Sequence, residues 1–310
     1  MIKRVVVIGN GFDLNLGLQT SYADFIGSQY FGGLSEYSEL NQYLSNRLNI
    51  VKWIDLELAL VDYVNESNHP NLNADFGALA DALERYLSDL DLSNLPKTSP
   101  AYKFIEELVN DGVSYIDNFD TTILNFNYTG TVEKIMEECR RGRKLNMSIK
   151  HVHGNLSHRI VLGYNGYASI PVEASVIRKK ANHMFTSYDE YLQGCDELII
   201  FGHSLGESDE AVFKPFFEGQ VSEQAKRKRI VIYGYKSEGI EQLKNRIEQM
   251  TGGCLALLEA KNDVKFINIA PDSSTETKSI VSPETIVQFL AKAAVGISVT
   301  YWLFNKNRTE

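Results

Sequence analysis

Five short polar motifs, each at the end of an apolar run, carry the residue types that could do chemistry in this chain. They are Gly9-Asn10-Gly11-Phe12-Asp13, Asn125-Phe126-Asn127-Tyr128-Thr129, His151-Val152-His153-Gly154-Asn155, Gly163-Tyr164-Asn165 and the segment from Gly202-His203-Ser204 to Asp209. A histidine suits a general base working near neutral pH. A side-chain amide can hold a sugar hydroxyl or a water without carrying charge. Alternation along an extended chain puts Asn125 and Asn127 on one face, and likewise His151 with His153. His153 is the better base of the two, because it stands nearer the strand end and Gly154 leaves space beside its ring. Asn127 and His153 are expected to face each other across a crevice, at the ends of neighbouring strands. A metal on His151, His153 and Asp209 is disfavoured, and none is expected.

The first motif suggests what enters that crevice. Val5-Val6-Val7-Ile8 is continuously apolar and β-branched, as suits a strand covered on both faces of a parallel sheet. Gly9 and Gly11 let the backbone turn tightly and approach a ligand, and the helix start that follows offers N–H groups to a phosphate. A nucleotide is therefore the expected ligand. Gly9, Asn10, Gly11, Phe12 and Asp13 would meet it first, with Tyr128, Gly202, His203, Ser204 and Asp209 contributing from other strand ends. The spacing is not the dinucleotide fingerprint, whose third glycine position is held by Leu14. Gly11→Val is expected to abolish ligand binding and leave the fold intact.

To bring these motifs to one rim, the chain must alternate strands and helices. Strand patterning recurs at 121–128, 147–153, 160–164, 197–203, 229–235 and 264–269, with helical spacing between at 131–140, 188–193, 209–217 and 239–250. That order implies an α/β fold with a doubly wound, Rossmann-like parallel sheet, whose ligand site lies beyond the carboxyl ends of the strands. Residues 21–112 read instead as helices, at 40–48, 53–64, 76–87 and 102–109. The expected organisation is a nucleotide-binding core of residues 1–20 and 115–275, a helical insertion at 21–114 folded over the crevice as a lid, and a C-terminal helix or tail at 276–310. Glu57 enters the site as an acidic partner only if that lid closes; otherwise it is a surface charge.

Bulk composition removes several classes. The chain has 310 residues, 44% hydrophobic and 23% charged, which is ordinary for a soluble globular protein. Its net charge of −9 disfavours nucleic acid as a partner. Cys139, Cys195 and Cys254 form no CxxC pair, so neither a structural zinc nor a disulfide framework is indicated. With no Walker lysine and no triad-type nucleophile, P-loop phosphoryl transfer and acyl transfer lose support. The start runs straight into a strand, leaving no room for a signal peptide, and a cytoplasmic location is expected. Within 286–304, the apolar stretch Ala293–Phe304 falls short of the roughly 20 residues that span a bilayer. A buried terminal helix is the preferred reading there, with membrane contact or homo-oligomer formation as the alternatives.

Taken together, Gly9-Asn10-Gly11-Phe12-Asp13 followed by Gly17-Leu18-Gln19-Thr20-Ser21-Tyr22 resembles the opening of the AbiH family of bacteriophage abortive-infection proteins. The blocks Trp53-Ile54-Asp55-Leu56-Glu57, Asn125-Phe126-Asn127-Tyr128, His151-Val152-His153-Gly154 and Gly202-His203-Ser204-Leu205 agree in order. The same blocks resemble, more distantly, the sirtuin-like NAD-binding fold. That second resemblance implies a glycine loop holding the dinucleotide, Asn127 at the ribose and His153 as the catalytic histidine. The sequence departs from it by lacking a zinc-binding cysteine module, by Thr129 where an aspartate is usual, and by Phe12-Asp13 in the glycine loop. The resemblances imply an anti-phage effector that hydrolyses the nicotinamide–ribose bond of NAD, with NAD as substrate or ligand and no further cofactor. The alternative is a non-catalytic protein that binds a nucleotide or a phage-derived trigger and acts through a partner or its apolar tail.

Overall fold

The computed structural model describes residues 1–34, 36–51, 55–66, 69–111, 119–178 and 188–270. Strand β1 (Ile2–Ile8) leads into α1 (Gly11–Asn15), α2 (Tyr22–Ile26), α3 (Gln29–Gly32), α4 (Glu39–Val51), α5 (Leu56–Glu66), α6 (Leu72–Ser88) and α7 (Pro100–Asp111). Then come β2 (Phe119–Asn125), α8 (Thr131–Arg140), β3 (Met147–His151) and the two-residue strands β4 (Gly154–Asn155) and β5 (Arg159–Ile160). The chain continues through α9 (Tyr188–Gly194), β6 (Glu197–Phe201), α10 (Glu210–Val221), β7 (Arg229–Gly234), α11 (Lys236–Met250), α12 (Leu255–Lys261) and β8 (Asp263–Asn268). No described helix is long and apolar enough to cross a membrane. The apolar stretch at 293–304, the rest of 276–310, and Trp53 and Ile54 lie outside the described residues.

Six strands pair in parallel in the order β3-β2-β1-β6-β7-β8. The chain builds outward from β1 on one side, then crosses back to start the other half at β6. The topological switch point thus falls between β1 and β6, where open α/β sheets form their ligand crevice. Register brings the motifs level: Ile8 lies beside both Asn125 and Phe201, Asn125 beside His151, and Phe201 beside Tyr233. The residues that follow each strand therefore emerge on one rim.

Strand alternation divides the core. Val5 and Val7 pack with Phe126, Phe213, Phe216 and Ile247 on one face, and Val6 and Ile8 pack with Phe12, Phe104 and Ile105 on the other. Helix α7 thus covers the sheet itself. Helices α2 to α6 assemble a separate core around Phe25, Leu44, Leu60, Leu79 and Leu83. In α6 the buried residues Leu72, Phe76, Leu79, Leu83 and Leu87 recur at helical spacing on one face. Ile160, Leu162, Tyr164 and Ile177 join that helical core, well after the sheet has begun.

One expected strand is corrected. Residues 160–164 do not enter the sheet; only Arg159–Ile160 is extended, paired antiparallel with Gly154–Asn155. The cause is a tight reversal. Gly154 has φ +73°, and a Cβ there would lie 2.2 Å from the Arg159 carbonyl oxygen. The chain folds back on itself, and Gly163-Tyr164-Asn165 is not a strand end of the main sheet. By contrast, 264–269 corresponds to the edge strand β8.

Candidate functional site

The loop after β1 is clamped to the loop after β6 by backbone alone. Gly9 N–H donates to the Phe201 carbonyl at 3.0 Å, and Gly11 N–H to the Gly202 carbonyl at 2.8 Å. A Cβ on Gly9 would lie 2.5 Å from His203 Cα, and one on Gly11 would lie 2.8 Å from Gly202 Cα. Gly202 itself has φ +70°, and its Cβ would meet Phe12 N at 2.3 Å. These glycines let two loops touch across the switch point, and the Gly9 and Gly11 N–H groups are satisfied within the protein. Phe12, expected at the ligand, is sealed in the sheet core with its ring edge toward Phe201 at 5.7 Å. Asn10 is exposed at the rim and bonds Thr20 through both amide atoms.

Asp13 ties the β1 loop to the β2 loop. Its buried carboxylate accepts hydrogen bonds from Thr129 Oγ1 at 2.5 Å and Thr131 Oγ1 at 2.6 Å. Burial raises its pKa from 3.8 to about 6, against the opposing pull of those hydroxyls and of the Asn127 amide. Asn127 Nδ2 also donates to the Gly9 carbonyl at 3.2 Å. Thr129, which departs from the sirtuin-like pattern, thus serves as a partner for Asp13, which belongs to another of its departures.

The histidines are organised by Asp209. His153 Nε2 lies 3.1 Å from Asp209 Oδ1, and His203 Nε2 lies 3.4 Å from Oδ2. All three side chains are buried. The Leu205 N–H donates to His203 Nδ1 at 3.0 Å, so the proton of the neutral ring sits on Nε2, facing the carboxylate. Both imidazoles make T-shaped contacts with Phe126, with centroids 5.2 Å and 4.4 Å away. A carboxylate on one ring nitrogen holds the imidazole's tautomer and orientation, which is what a general base requires. His151 takes a different course: its Nε2 meets Glu133 Oε1 at 2.5 Å and its Nδ1 the Asn127 carbonyl at 3.3 Å. Burial lowers the His151 pKa, but Glu133 outweighs it and the net shift is upward. It does not line the cavity.

These loops enclose a cavity of about 370 Å3, within the usual range of ligand pockets. Its walls include Asp13, Asn127, Tyr128, Thr129, His153, His203, Ser204 and Asp209, joined from the helical segment by Tyr22, Asp55 and Glu57. Glu57 is buried, not a surface charge, and its Oε1 lies 3.5 Å from the Tyr22 hydroxyl. Asp55 accepts hydrogen bonds from the Glu57 and Leu58 N–H groups, capping α5. Burial, and after it the Glu57 charge, holds the Tyr22 and Tyr128 phenols far above the ordinary value of 10, so both stay protonated. Among the described residues, the lining carries four carboxylates (Asp13, Asp55, Glu57 and Asp209) and no lysine or arginine.

Asn127 and His153 both line this cavity, but each has its own partners. Asn127 joins Gly9 and Asp13, whereas His153 joins Asp209 and Phe126. Sequence reasoning missed Tyr22 and Asp55 as lining residues. For Tyr22 the available signal was the Ser21-x-x-Asp24 capping box, present in the structure, which starts a helix at that point. For Asp55 it was an aspartate just before a helical run.

A parallel sheet in this order, with a cavity carrying carboxylates and histidines at its switch point, defines a Rossmann-like α/β protein. A family model described as Bacteriophage abortive infection AbiH matches residues 5–233, and the chain belongs to that family. Membership points to a role in abortive-infection defence against bacteriophage. No curated protein matches the chain.

Proposed function

We propose that this AbiH protein binds a nucleotide, NAD, at the switch-point cavity and hydrolyses its nicotinamide–ribose bond during phage infection. The observation that carries the reading is the buried Asp209 carboxylate shared by His153 and His203 at the cavity wall. Departure of nicotinamide leaves a ribose with oxocarbenium character. Carboxylates stabilise such a developing cation, and Asp55, Glu57 and Asp209 line the same cavity as His153. His153, held by Asp209, takes a proton from the attacking water, a contribution worth roughly 10²–10⁴-fold. Asn127 orients the ribose hydroxyls. The helical segment 21–114 acts as a lid, supplying Tyr22, Asp55 and Glu57 and keeping bulk water out. In this reading the protein works in the cytoplasm, needs no cofactor besides its substrate, and responds to a phage-derived trigger.

A second reading has a specific observation in its favour. The Gly9 and Gly11 N–H groups are engaged, and no lysine or arginine is present among the described lining residues to neutralise a diphosphate. A non-catalytic protein that senses a less anionic signal, and acts through a partner, a second copy or its apolar tail, fits that wall. One assay separates the two. Purified protein is incubated with NAD, with and without extract from phage-infected cells, and free nicotinamide is measured by chromatography. Release that disappears in His153→Ala supports the hydrolase. No release under either condition rejects it and leaves the sensor.

A further inference from the structure

Arg246 does not line the cavity, yet it grips the loop that carries His203 and Asp209. Its Nε donates to the Leu205 carbonyl at 3.0 Å, while Nη1 and Nη2 lie 3.5 Å and 3.6 Å from Glu207 and Glu210. Leu205 is fully buried and held at φ +54°, a left-handed conformation that a leucine adopts only when its surroundings impose it. In that conformation its N–H points back to His203 Nδ1. Leu205 is therefore pinned through both flanking peptide groups, by arginine at its carbonyl and by imidazole at its amide.

We infer that Arg246 is a positioning residue for the histidine pair, setting the His203 tautomer and the aim of Asp209 through Leu205. The path is continuous. The guanidinium holds the Leu205 carbonyl, the Leu205 N–H keeps Nδ1 of His203 an acceptor, and the Nε2 proton is directed at Asp209 Oδ2. Asp209 Oδ1 is then presented to His153. Without Arg246, Leu205 is released from its strained conformation, His203 samples its other tautomer, and Asp209 loses the restraint that His203 supplies. Only the final link, to turnover, rests on the proposed NAD hydrolysis.

The test uses the full chain labelled with 15N-histidine, whose six histidines are read by long-range imidazole correlation spectra. His203→Gln assigns the resonances. Wild type is expected to show His203 as a single Nε2–H tautomer. Arg246→Met is expected to show two tautomers, and Arg246→Lys, which keeps a donor for the carbonyl, to return most of the single form. Arg246→Leu, which has no donor for the carbonyl, replaces the methionine variant if that one does not fold. Where nicotinamide release is measurable, Arg246→Met should lower kcat on the order of tenfold or more with KM little changed, since small misplacements of catalytic groups cost that much. A folded Arg246→Met or Arg246→Leu that keeps one His203 tautomer overturns the inference. Wild-type protein that releases no nicotinamide overturns the hydrolase reading alone, because the tautomer measurement needs no turnover.

Discussion

Asp13 offers a direct test of the site's electrostatics. Its carboxylate is 1% exposed, and its pKa is raised from 3.8 to about 6 because burial outweighs the hydrogen bonds from Thr129, Thr131 and Asn127. At about 1.4 kcal/mol per factor of ten in acidity, that elevation costs the folded state about 3 kcal/mol once the group is ionised. Below pH 3.8 the acid is protonated in both states and the cost is absent. Between 3.8 and about 6 the unfolded chain ionises first, so stability falls as pH rises. Above about 6 both states are ionised and the full cost persists. Asp13→Asn removes the charge while its amide still bonds the two threonine hydroxyls. Urea unfolding of both proteins, followed by circular dichroism from pH 4 to pH 8, isolates this group in the difference between the curves. The asparagine variant should be more stable by about 3 kcal/mol at pH 8, with the advantage shrinking toward nothing near pH 4. Two curves that run parallel across that range would refute the assignment of a costly buried charge to Asp13.

Further outcomes follow from the same geometry. Gly11→Val, expected from sequence to spare the fold, should instead lower the melting temperature sharply. Its Cβ would press on the Gly202 backbone at 2.8 Å, and an unchanged melting curve would show that the two loops yield. His153→Ala should reduce nicotinamide release roughly 10²–10⁴-fold and relieve toxicity in cells; full activity in that variant removes His153 as the base. Asn127→Ala should do the same at a stability cost of about 1–3 kcal/mol, because its amide also serves Gly9 and Asp13. The two losses should be strongly non-additive in a double-mutant cycle. Arg4→Ala should destabilise by about 3–5 kcal/mol, since Arg4 and Glu197 form a buried pair 2.5 Å apart at the opposite end of the sheet. Nicotinamide release per folded molecule should not change in that variant.

The alternation of strands and helices, the parallel sheet and the gathering of polar motifs on one rim were legible in the sequence, because each rests on local periodicity. A run such as Val5–Ile8 declares a doubly covered strand whatever surrounds it. The spacing of Leu72, Phe76, Leu79 and Leu83 likewise declares a helix face. Which polar residues meet is another matter. His153 and His203 share Asp209, His151 goes to Glu133, and Asn127 turns to the β1 loop. His153–Asp209 and Asn127–Gly9 join residues far apart in the chain, and only strand order and loop packing settle them. The glycines of the first loop looked like a ligand cradle because sequence shows where a Cβ is missing but not what occupies its place. Here the backbone of Gly202 and His203 occupies it. Residues 160–164 read as a strand by composition, yet the Gly154–Arg159 reversal turns them into the helical core. Glu57 shows the same division: its helix was written in the sequence, but its burial beside Tyr22 required the helices to pack over the crevice. Periodicity reports how a segment presents its faces, and tertiary packing alone decides what each face meets.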